Sequence, residues 1–330
     1  MLIGARSNVR PRPNGRGTAL DGVMRKIGLI AGDAHPKLAH QIAELSGAAE
    51  TGVSISAFAD GETRIRIEGD VRDCDVYIVQ PTSTPTNERL LTLALLADAA
   101  RGAGALRITA VVPYFGYARQ DVRSRPGEPR SARLAAQILA SAGIDRLIAF
   151  ELHSAPLESA FPMPVVHLQA DELMLPAIRR WGLRDAVIVS PDAGGLKRAQ
   201  RFASALRLPL AVVAKVRPGD DAAVASQVLG DVRGRPCVIV DDMASTGGTI
   251  VAAGEALLAA GAAEIHAVFV HAVMARGALE RICAVARRIS TTDSVNDASD
   301  PRLQVEGTAP LLAGAVRELA GTGGGAAPSS

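Results

Sequence analysis

Short runs of β-branched and other aliphatic residues recur along this chain, and most of them are followed by a stretch with helical character. The runs are largely apolar, which is typical of strands that are buried on both faces of a parallel sheet. Strands that alternate with helices predict an α/β fold in which helices cover both faces of the sheet. The runs behind this prediction are Ile27–Ile30, Val76–Val79, Ile108–Val112, Arg146–Phe150, Ala186–Val189, Leu210–Val213, Val238–Val240 and Ile265–Val270.

The series of strands and helices runs through the sequence twice, which predicts two similar α/β domains that meet near Gln169. We assign residues 26–168 to the N-terminal domain and residues 169–304 to the C-terminal domain. Residues 305–320 are expected to form a C-terminal helix that packs on the N-terminal domain.

The two end segments have compositions that do not predict a packed structure. Residues 1–25 are rich in Arg, Pro, Gly and Asn and have no apolar period, so we expect a disordered extension. Met24 stands just before the first strand and is an alternative start of translation. Residues 321–330 are small and polar, which is typical of a flexible tail.

The overall charge is nearly balanced, because 36 Lys and Arg residues face 34 Asp and Glu residues, for a formal net charge of +2. This balance argues against nucleic acid or an anionic membrane as the main partner. No apolar run approaches the length of a membrane span. Cys74, Cys237 and Cys283 lack the spacing of a metal site, as expected for reduced thiols of a cytoplasmic protein.

One stretch, Val238–Ile250, combines a strand, two acids, a small turn and the start of a helix; it reads Val-Ile-Val-Asp-Asp-Met-Ala-Ser-Thr-Gly-Gly-Thr-Ile. The turn and the helix N-terminus offer open backbone N–H groups where a phosphate could sit. Asp241 and Asp242 would repel that phosphate, so we expect them to face sugar hydroxyls or a divalent cation. A Gly-Gly turn after a strand is also a common loop, so an ordinary connection is the alternative.

Further polar side chains follow the ends of predicted strands, where ligands bind in open α/β sheets. Their types suit a phosphorylated substrate, with cations for phosphate and a His–Asp combination for magnesium. They are Arg119, Gln120, His153, Asp192, Lys215 and Arg217. Polar residues are common at strand ends, so Lys215 and Arg217 could instead be a solvated pair without a function. His153 could instead be a core imidazole that is hydrogen-bonded to the backbone.

Four segments resemble the motifs of known enzymes. The Asp-Asp pair before Thr-Gly-Gly-Thr is similar to the phosphoribosyl-diphosphate loop that phosphoribosyltransferases share with ribose-phosphate pyrophosphokinases. Phe58–Glu62, Gln80–Asn87 and Pro113–Asp121 are similar to motifs of the pyrophosphokinases and are not expected in a simple phosphoribosyltransferase. Over Lys26 to Leu319, the chain therefore resembles the ribose-phosphate pyrophosphokinase (phosphoribosyl-diphosphate synthetase) family.

The resemblance implies two phosphoribosyltransferase-type domains, each with a mostly parallel sheet and helices on both faces. It also implies an enzyme that uses ATP and magnesium. The diphosphoryl group of ATP would move to the anomeric hydroxyl of ribose 5-phosphate, giving 5-phosphoribosyl 1-diphosphate for nucleotide biosynthesis and releasing AMP. The family further implies a homo-oligomer with the ATP site at a subunit interface.

The matching motif positions imply a role for each candidate residue. ATP would be bound by Phe58, Asp60, Glu62, Arg119, Gln120 and Arg123. Magnesium would be held by His153 and Asp192, and the catalytic cations would be Lys215 and Arg217. Ribose 5-phosphate would be bound by Arg217, Asp241, Asp242, Ser245, Thr246, Gly247, Gly248 and Thr249.

Three positions depart from the common bacterial pattern of that family. Ser245 stands in place of an Asp, Val122 in place of a basic residue, and Glu151 in place of an Asp. These departures leave the oligomeric state, phosphate activation and ADP inhibition open. A non-catalytic subunit that regulates a true synthetase and a phosphoribosyltransferase acting on a base are the alternative functions. The presence of Lys215 argues against the first, and Phe58–Glu62 argues against the second.

Lys215 provides a test of the catalytic assignment. If its charge acts only as negative charge develops on the transferring group, Lys215→Ala should lower kcat by a factor on the order of 10²–10³. The KM values for ATP and ribose 5-phosphate should change little, because such an interaction is absent from the ground state. Steady-state kinetics with circular dichroism as the folding control would measure this, and a near-normal kcat would remove Lys215 from the mechanism.

Overall fold

The computed structural model describes residues 26–216, 225–296 and 299–321. The predicted N-terminal extension, residues 322–330 of the predicted tail and Arg217 lie outside the described residues. The described part of the chain forms two mostly parallel sheets with helices, together with a separate β-hairpin. The predicted α/β class, with two similar domains, is therefore confirmed.

The N-terminal domain contains a fully parallel sheet of six strands in the order β2-β1-β5-β6-β7-β8, and β3 and β4 pair antiparallel as a hairpin. Its elements are β1 (Ile27–Ala31), α1 (Pro36–Ser46), β2 (Ala49–Thr51), β3 (Val53–Ala57), β4 (Thr63–Ile67), β5 (Asp75–Val79), α2 (Thr86–Gly102), β6 (Arg107–Val112), α3 (Ser131–Ser141), β7 (Arg146–Phe150), a 3-10 segment (Ala155–Ala160) and β8 (Val165–Leu168).

The C-terminal domain contains a sheet of seven strands in the order β11-β10-β9-β12-β13-β14-β15, in which β11 runs antiparallel to β10 and the other pairs are parallel. Its elements are α4 (Asp171–Arg180), β9 (Val187–Ser190), α5 (Leu196–Leu206), β10 (Leu210–Val216), β11 (Ala225–Leu229), β12 (Pro236–Ala244), α6 (Gly248–Ala259), β13 (Glu264–Ala272), α7 (Ala278–Cys283), β14 (Arg288–Thr292), β15 (Leu303–Glu306) and α8 (Ala309–Gly321).

Two predicted segments differ from the structure by four residues at one end. The strand predicted at Val238–Val240 extends to Ala244, because β12 pairs with β13 beyond the apolar run and through the acidic pair. The helix predicted at 305–320 begins only at Ala309 and ends at Gly321. The residues before it form β15, which pairs with β14 at the edge of the sheet.

One hydrophobic core joins the two sheets. It contains Leu29 and Ile148 from the first sheet and Val240 from the second, all fully buried. Helices α1, α4, α5 and α8 contribute to the same core, and α8 packs against α1, where Arg317 donates a hydrogen bond to the carbonyl of Leu45. The position of each sheet is therefore fixed by packing against helices that both domains share.

The described part of the chain holds no helix that is both long and apolar enough to cross a bilayer. All three cysteines are free thiols, with Cys74 and Cys237 buried and Cys283 partly buried.

Two of the sequence motifs bind each other inside the N-terminal domain. The Thr82 hydroxyl accepts a hydrogen bond from the Gly116 N–H at 2.7 Å, and the Tyr114 carbonyl accepts one from the Thr82 N–H at 2.8 Å. A Cβ atom on Gly116 would lie 2.4 Å from the Thr82 carbonyl oxygen and 2.5 Å from the Thr86 methyl carbon. Residue 116 must therefore be glycine for the loops after β5 and β6 to approach each other.

Gly116→Ala should lower the free energy of unfolding by about 1–3 kcal/mol, because backbone atoms must shift to admit the new methyl group. Gly102→Ala is the matched control, since a Cβ atom there meets nothing within 4 Å at the end of α2. The control should leave stability unchanged or raise it by up to about 1 kcal/mol. Urea denaturation of both variants would measure the difference, and equal midpoints would contradict the close approach of these loops.

Candidate functional site

A cleft lies at the carboxyl ends of β12 and β9, where loops from the N-terminal domain face the C-terminal domain. In α/β sheets, this edge is where ligands bind. The cleft is bordered by Arg119, His153, Asp192, Asp241, Asp242, Met243, Ala244, Ser245, Thr246, Gly247, Gly248, Thr249 and Ile250. The structure therefore brings the predicted magnesium residues, the acidic pair and the predicted phosphate loop to one place.

The predicted phosphate loop connects β12 to α6 through a backbone turn that requires glycine. Gly247 is the N-cap residue of α6 and has a left-handed φ of 78°. A Cβ atom on Gly247 would lie 2.9 Å from a side-chain carbon of Ile282. Arg281 donates two hydrogen bonds to the Thr246 carbonyl at 3.1 and 2.7 Å, which orients the turn from behind. Gly247 has no side chain to cap the start of α6, and the Gly248 N–H donates only a long hydrogen bond of 3.4 Å to the Thr246 hydroxyl, so the first turn of α6 can present N–H groups to an anion.

The acidic pair is held in a fixed arrangement beside this loop. Asp241 accepts a hydrogen bond from the Asp242 N–H at 2.9 Å. Asp242 is buried, and it accepts a hydrogen bond from Nδ1 of His153 at 2.6 Å across the domain boundary. Asp241 is the more accessible of the two, with 14% of its side chain exposed against 5% for Asp242. Asp241 is therefore the better placed acid for contact with a ligand.

The protonation of this pair follows from its surroundings. The hydrogen bond to Asp242 raises the pKa of His153 above its ordinary value. Burial opposes the charge on Asp242, but the His153 hydrogen bond and the nearby Arg198 guanidinium outweigh it and hold the pKa of Asp242 well below its usual range. Burial and the neighbouring Asp242 carboxylate raise the pKa of Asp241 well above its ordinary value. These shifts favour an ionised Asp242 paired with a protonated His153.

Asp192 borders the cleft and also stabilises the turn in which it lies. Its carboxylate oxygen Oδ1 accepts a hydrogen bond from the Gly195 N–H at 3.0 Å, at the start of α5. Its carbonyl accepts one from the Ser190 hydroxyl at 2.7 Å. Within the described residues, no three His, Cys, Asp or Glu side chains are grouped to hold a metal ion by themselves.

The remaining predicted residues are dispersed. Gln120 accepts a hydrogen bond from the Ser131 hydroxyl, and Arg123 is exposed; neither of them borders the cleft. Phe58 lies at the tip of the β3–β4 hairpin with 50% of its surface exposed, and the Arg64 guanidinium stacks 5.6 Å from its ring centroid. Asp60 and Glu62 lie in the same tip, away from the cleft of their own chain.

The backbone of Lys215 lies on β10 opposite Ser226 of β11. The neighbouring Ala214 borders a second part of the cleft, together with Asp121 and Arg198. The strand that carries Lys215 therefore reaches the cleft, while Arg217 lies outside the described residues.

Sequence reasoning missed Arg198, which is the buried cation nearest to the acidic pair. Its Nη1 atom lies 3.8 Å from an oxygen of Asp242 and 3.9 Å from an oxygen of Asp241, and its Nε atom donates to Glu151 at 2.8 Å. A signal was present in the sequence, because Arg198 stands four residues before the buried Phe202 and so falls on the apolar face of α5. A charge on that face requires a buried partner.

Known proteins match this chain over most of its length. The sequence model of the N-terminal domain of ribose phosphate pyrophosphokinase matches residues 27–143, and the phosphoribosyl transferase domain matches residues 168–304. A ribose-phosphate pyrophosphokinase of Gloeobacter violaceus is 40% identical over 296 residues, covering 88% of this chain and 89% of that protein. The chain belongs to the ribose-phosphate pyrophosphokinase family.

Other members of the ribose-phosphate pyrophosphokinase family support the same placement. The enzyme of Bacillus subtilis is 36% identical over 296 residues and is covered to 93%, while 88% of this chain is covered. A crystal structure of phosphoribosylpyrophosphate synthetase from Mycobacterium smegmatis superposes with a TM-score of 0.84 at 36% identity, covering 89% of this chain and 99% of that one. The predicted family and its two-domain fold are thereby confirmed.

The His153–Asp242 ion pair gives a pH-dependent prediction. The pKa of His153 in the folded protein is raised above its ordinary value of 6.5. The ion pair therefore contributes its full stability below pH 6.5, and this contribution is lost as the pH rises through the folded-state pKa. In NMR titrations without metal, Asp242→Asn should lower the pKa of His153, because the carboxylate that favours the charged ring is gone.

His266 is the internal control, because burial lowers its pKa and it has no contact with Asp242. Its titration should be the same in wild type and Asp242→Asn. An unchanged His153 titration in the variant would show that the ion pair does not form in solution.

Proposed function

We propose that this protein transfers the diphosphoryl group of ATP to the anomeric hydroxyl of ribose 5-phosphate, producing 5-phosphoribosyl 1-diphosphate and AMP. The observation that carries the proposal is the single cleft in which an open helix N-terminus, an acidic pair and Arg119 face one another. Relatives that are named ribose-phosphate pyrophosphokinase and are covered nearly end to end by this chain support it.

Ribose 5-phosphate would bind with its phosphate on the loop from Ser245 to Thr249. The open N–H groups at the start of α6 suit a phosphate dianion, and the Thr246 and Thr249 hydroxyls, which are exposed, add donors. Asp241 stands beside this loop at the cleft surface and would accept hydrogen bonds from the ribose hydroxyls. Asp242 would act together with Asp241, with its orientation set by His153.

Magnesium fits the residues that border the cleft. Mg2+ usually takes one or two carboxylates and fills its other positions with water and substrate phosphates, so a preformed group of three protein ligands is not required. Asp192 would hold it, and His153 would contact it directly or through water. When bound, the ion would neutralise charge on the phosphates of ATP.

The cations around the cleft would stabilise the negative charge that develops on the transferring group and on the departing AMP. The strand that carries Lys215 borders the cleft at the neighbouring Ala214, and we assign Lys215 and Arg217 this catalytic role. Arg217 would also grip ribose 5-phosphate. Arg119 faces the cleft from the N-terminal domain, and Gln120 and Arg123 would contact ATP from the same loop.

The hairpin residues Phe58, Asp60 and Glu62 would bind the adenine of an ATP molecule in the cleft of a second copy of this chain. The exposed ring of Phe58 at the hairpin tip and its distance from the cleft of its own chain support this arrangement. The protein would then be a homo-oligomer, and we place it in the cytoplasm.

The reaction can be tested directly. With ATP, ribose 5-phosphate and Mg2+, the purified protein should release AMP, and 5-phosphoribosyl 1-diphosphate should accumulate. Omitting ribose 5-phosphate or removing Mg2+ with EDTA should stop AMP release. A protein that instead consumes 5-phosphoribosyl 1-diphosphate in the presence of a base would be a phosphoribosyltransferase. Complete inactivity alone, with stimulation of a separate active synthetase, would indicate a regulatory subunit.

The acidic pair gives the matching variant test. A charge-assisted hydrogen bond contributes about 1.5–3 kcal/mol, so Asp241→Asn should raise the KM for ribose 5-phosphate on the order of 10- to 100-fold. The double variant Asp241→Asn/Asp242→Asn should weaken it further, with a smaller effect on ATP. Asp231→Asn, at an exposed turn after β11, is the control and should have wild-type kinetics. Equal weakening of both substrates would contradict the assignment.

A further inference from the structure

A buried ion pair connects the two domains directly behind the acidic pair. Glu151 follows β7 in the N-terminal domain, and Arg198 lies in the first turn of α5 in the C-terminal domain. Nε of Arg198 donates to Oε1 of Glu151 at 2.8 Å, with only 10% and 5% of the two side chains exposed. A buried pair of opposite charges is strongly disrupted when one partner is removed alone.

Every polar group of Glu151 has a hydrogen-bond partner within the protein. Its N–H donates to the Leu168 carbonyl at 2.8 Å, and its own carbonyl accepts from Nε2 of His271 at 2.9 Å. Its second carboxylate oxygen accepts a hydrogen bond from the Ala170 N–H at 2.9 Å. The backbone of Glu151 is left-handed, with a φ of 40°, a conformation that a residue with a side chain adopts only when its surroundings impose it. The carboxylate is therefore fixed in place and is not available to a ligand.

The hydrogen bond between Nε of Arg198 and Glu151 orients the rest of the guanidinium group. Nη1 points toward the acidic pair, 3.8 Å from Asp242 and 3.9 Å from Asp241. These distances are too long for direct hydrogen bonds but place a full positive charge beside both carboxylates. The planar guanidinium presents Nε to Glu151 and Nη1 to the acidic pair in a fixed relative geometry, which the compact ammonium of a lysine does not reproduce.

A second arginine on α5 shows what a purely structural contact on this helix looks like. Arg201, three residues further on, forms a two-bond ion pair with Asp171 at the start of α4, at 3.0 and 3.1 Å. Arg201 also lies 3.7 Å from Glu151, but no contact connects it to Asp241 or Asp242. Arg198 differs from Arg201 in reaching the acidic pair.

We infer that Arg198, oriented by Glu151, is a positioning residue that holds Asp241 and Asp242 in the arrangement that binds the ribose of the substrate. The inference rests on the proposed function, because it assigns the ribose to the acidic pair. This role differs from joining the two domains, because it depends on the interaction of Arg198 with Asp241 and Asp242 and not on the ion pair with Glu151. Neither Arg198 nor Glu151 transfers a proton or touches the transferring group.

The test compares four variants of the full-length protein. Arg198→Met should lower the unfolding midpoint, because Glu151 is left charged and buried without its partner. The double variant Glu151→Gln/Arg198→Met removes both charges and should regain most of that stability. It should nevertheless keep a loss in kcat/KM for ribose 5-phosphate on the order of 10- to 100-fold, as expected when a group that supports a ligand-binding residue is removed. The KM for ATP should stay within about twofold.

Arg198→Lys should retain stability better than Arg198→Met but should not recover the full affinity for ribose 5-phosphate. Arg201→Met is the matched control, with the same residue type and substitution one turn away, and should leave both KM values unchanged. A stable double variant with wild-type kcat/KM for ribose 5-phosphate would overturn the inference, and so would an equal loss in Arg201→Met.

Calorimetric binding of ribose 5-phosphate separates this inference from the proposed reaction. If the wild type forms no AMP but binds ribose 5-phosphate, and the double variant binds it more weakly, the reaction is wrong and the role of Arg198 stands. If the wild type forms AMP and the double variant binds ribose 5-phosphate with unchanged affinity, the reaction stands and the role of Arg198 is wrong. A wild type that does not bind ribose 5-phosphate would overturn both.

Discussion

The structure depends on one packing constraint, which is that a parallel sheet must be covered on both faces. Here the two sheets meet this constraint partly with shared helices. Helices α1, α4, α5 and α8 contribute to a core that continues from Leu29 in the first sheet to Val240 in the second. Interiors are packed as densely as organic crystals, so this core leaves little freedom for one sheet to move against the other. The strand ends of both domains are thereby held at a common cleft.

Charge is organised around this cleft in a way that packing alone would not produce. Four ionised groups, Glu151, Asp242, Arg198 and His153, form a chain of alternating contacts that crosses the domain boundary twice. Each buried carboxylate has a cation within ion-pair distance, which is the condition for keeping charge inside a protein. Asp241, the most exposed acid of the group, is left to face the cleft.

The loop from Ser245 to Thr249, which we propose binds phosphate, has a backbone shape that is fixed without a ligand. Its conformation is fixed by the left-handed turn at Gly247, by the contact of that residue with Ile282, and by the hydrogen bonds from Arg281 to Thr246. A preorganised set of N–H groups costs little to reorient when an anion binds, which is why such loops bind phosphates well. The loops after β5 and β6 are fixed in a similar way by Thr82 and Gly116.

The sequence by itself determined the fold class, the family and many of the elements. The strand predicted at Arg146–Phe150 is present with the same bounds as β7, because its apolar run is a local property of the chain. The extension of β12 through the acidic pair was not predicted, since it depends on pairing with β13, and the short strands β8, β14 and β15 were missed for the same reason. Strand pairing is a property of neighbours and not of a segment alone.

Within the site, the acidic pair and the proposed phosphate loop could be singled out from the sequence because they are contiguous in it. Only the tertiary structure showed that Asp242 is buried against His153 while Asp241 is more exposed. His153 and Asp242 are 89 residues apart and Glu151 and Arg198 are 47 apart, so their contacts are set by how the two sheets pack. Likewise, only the structure placed Phe58 away from the cleft of its own chain. Local patterns specify which elements form, whereas the partner of a buried charge is chosen by the packing that surrounds it.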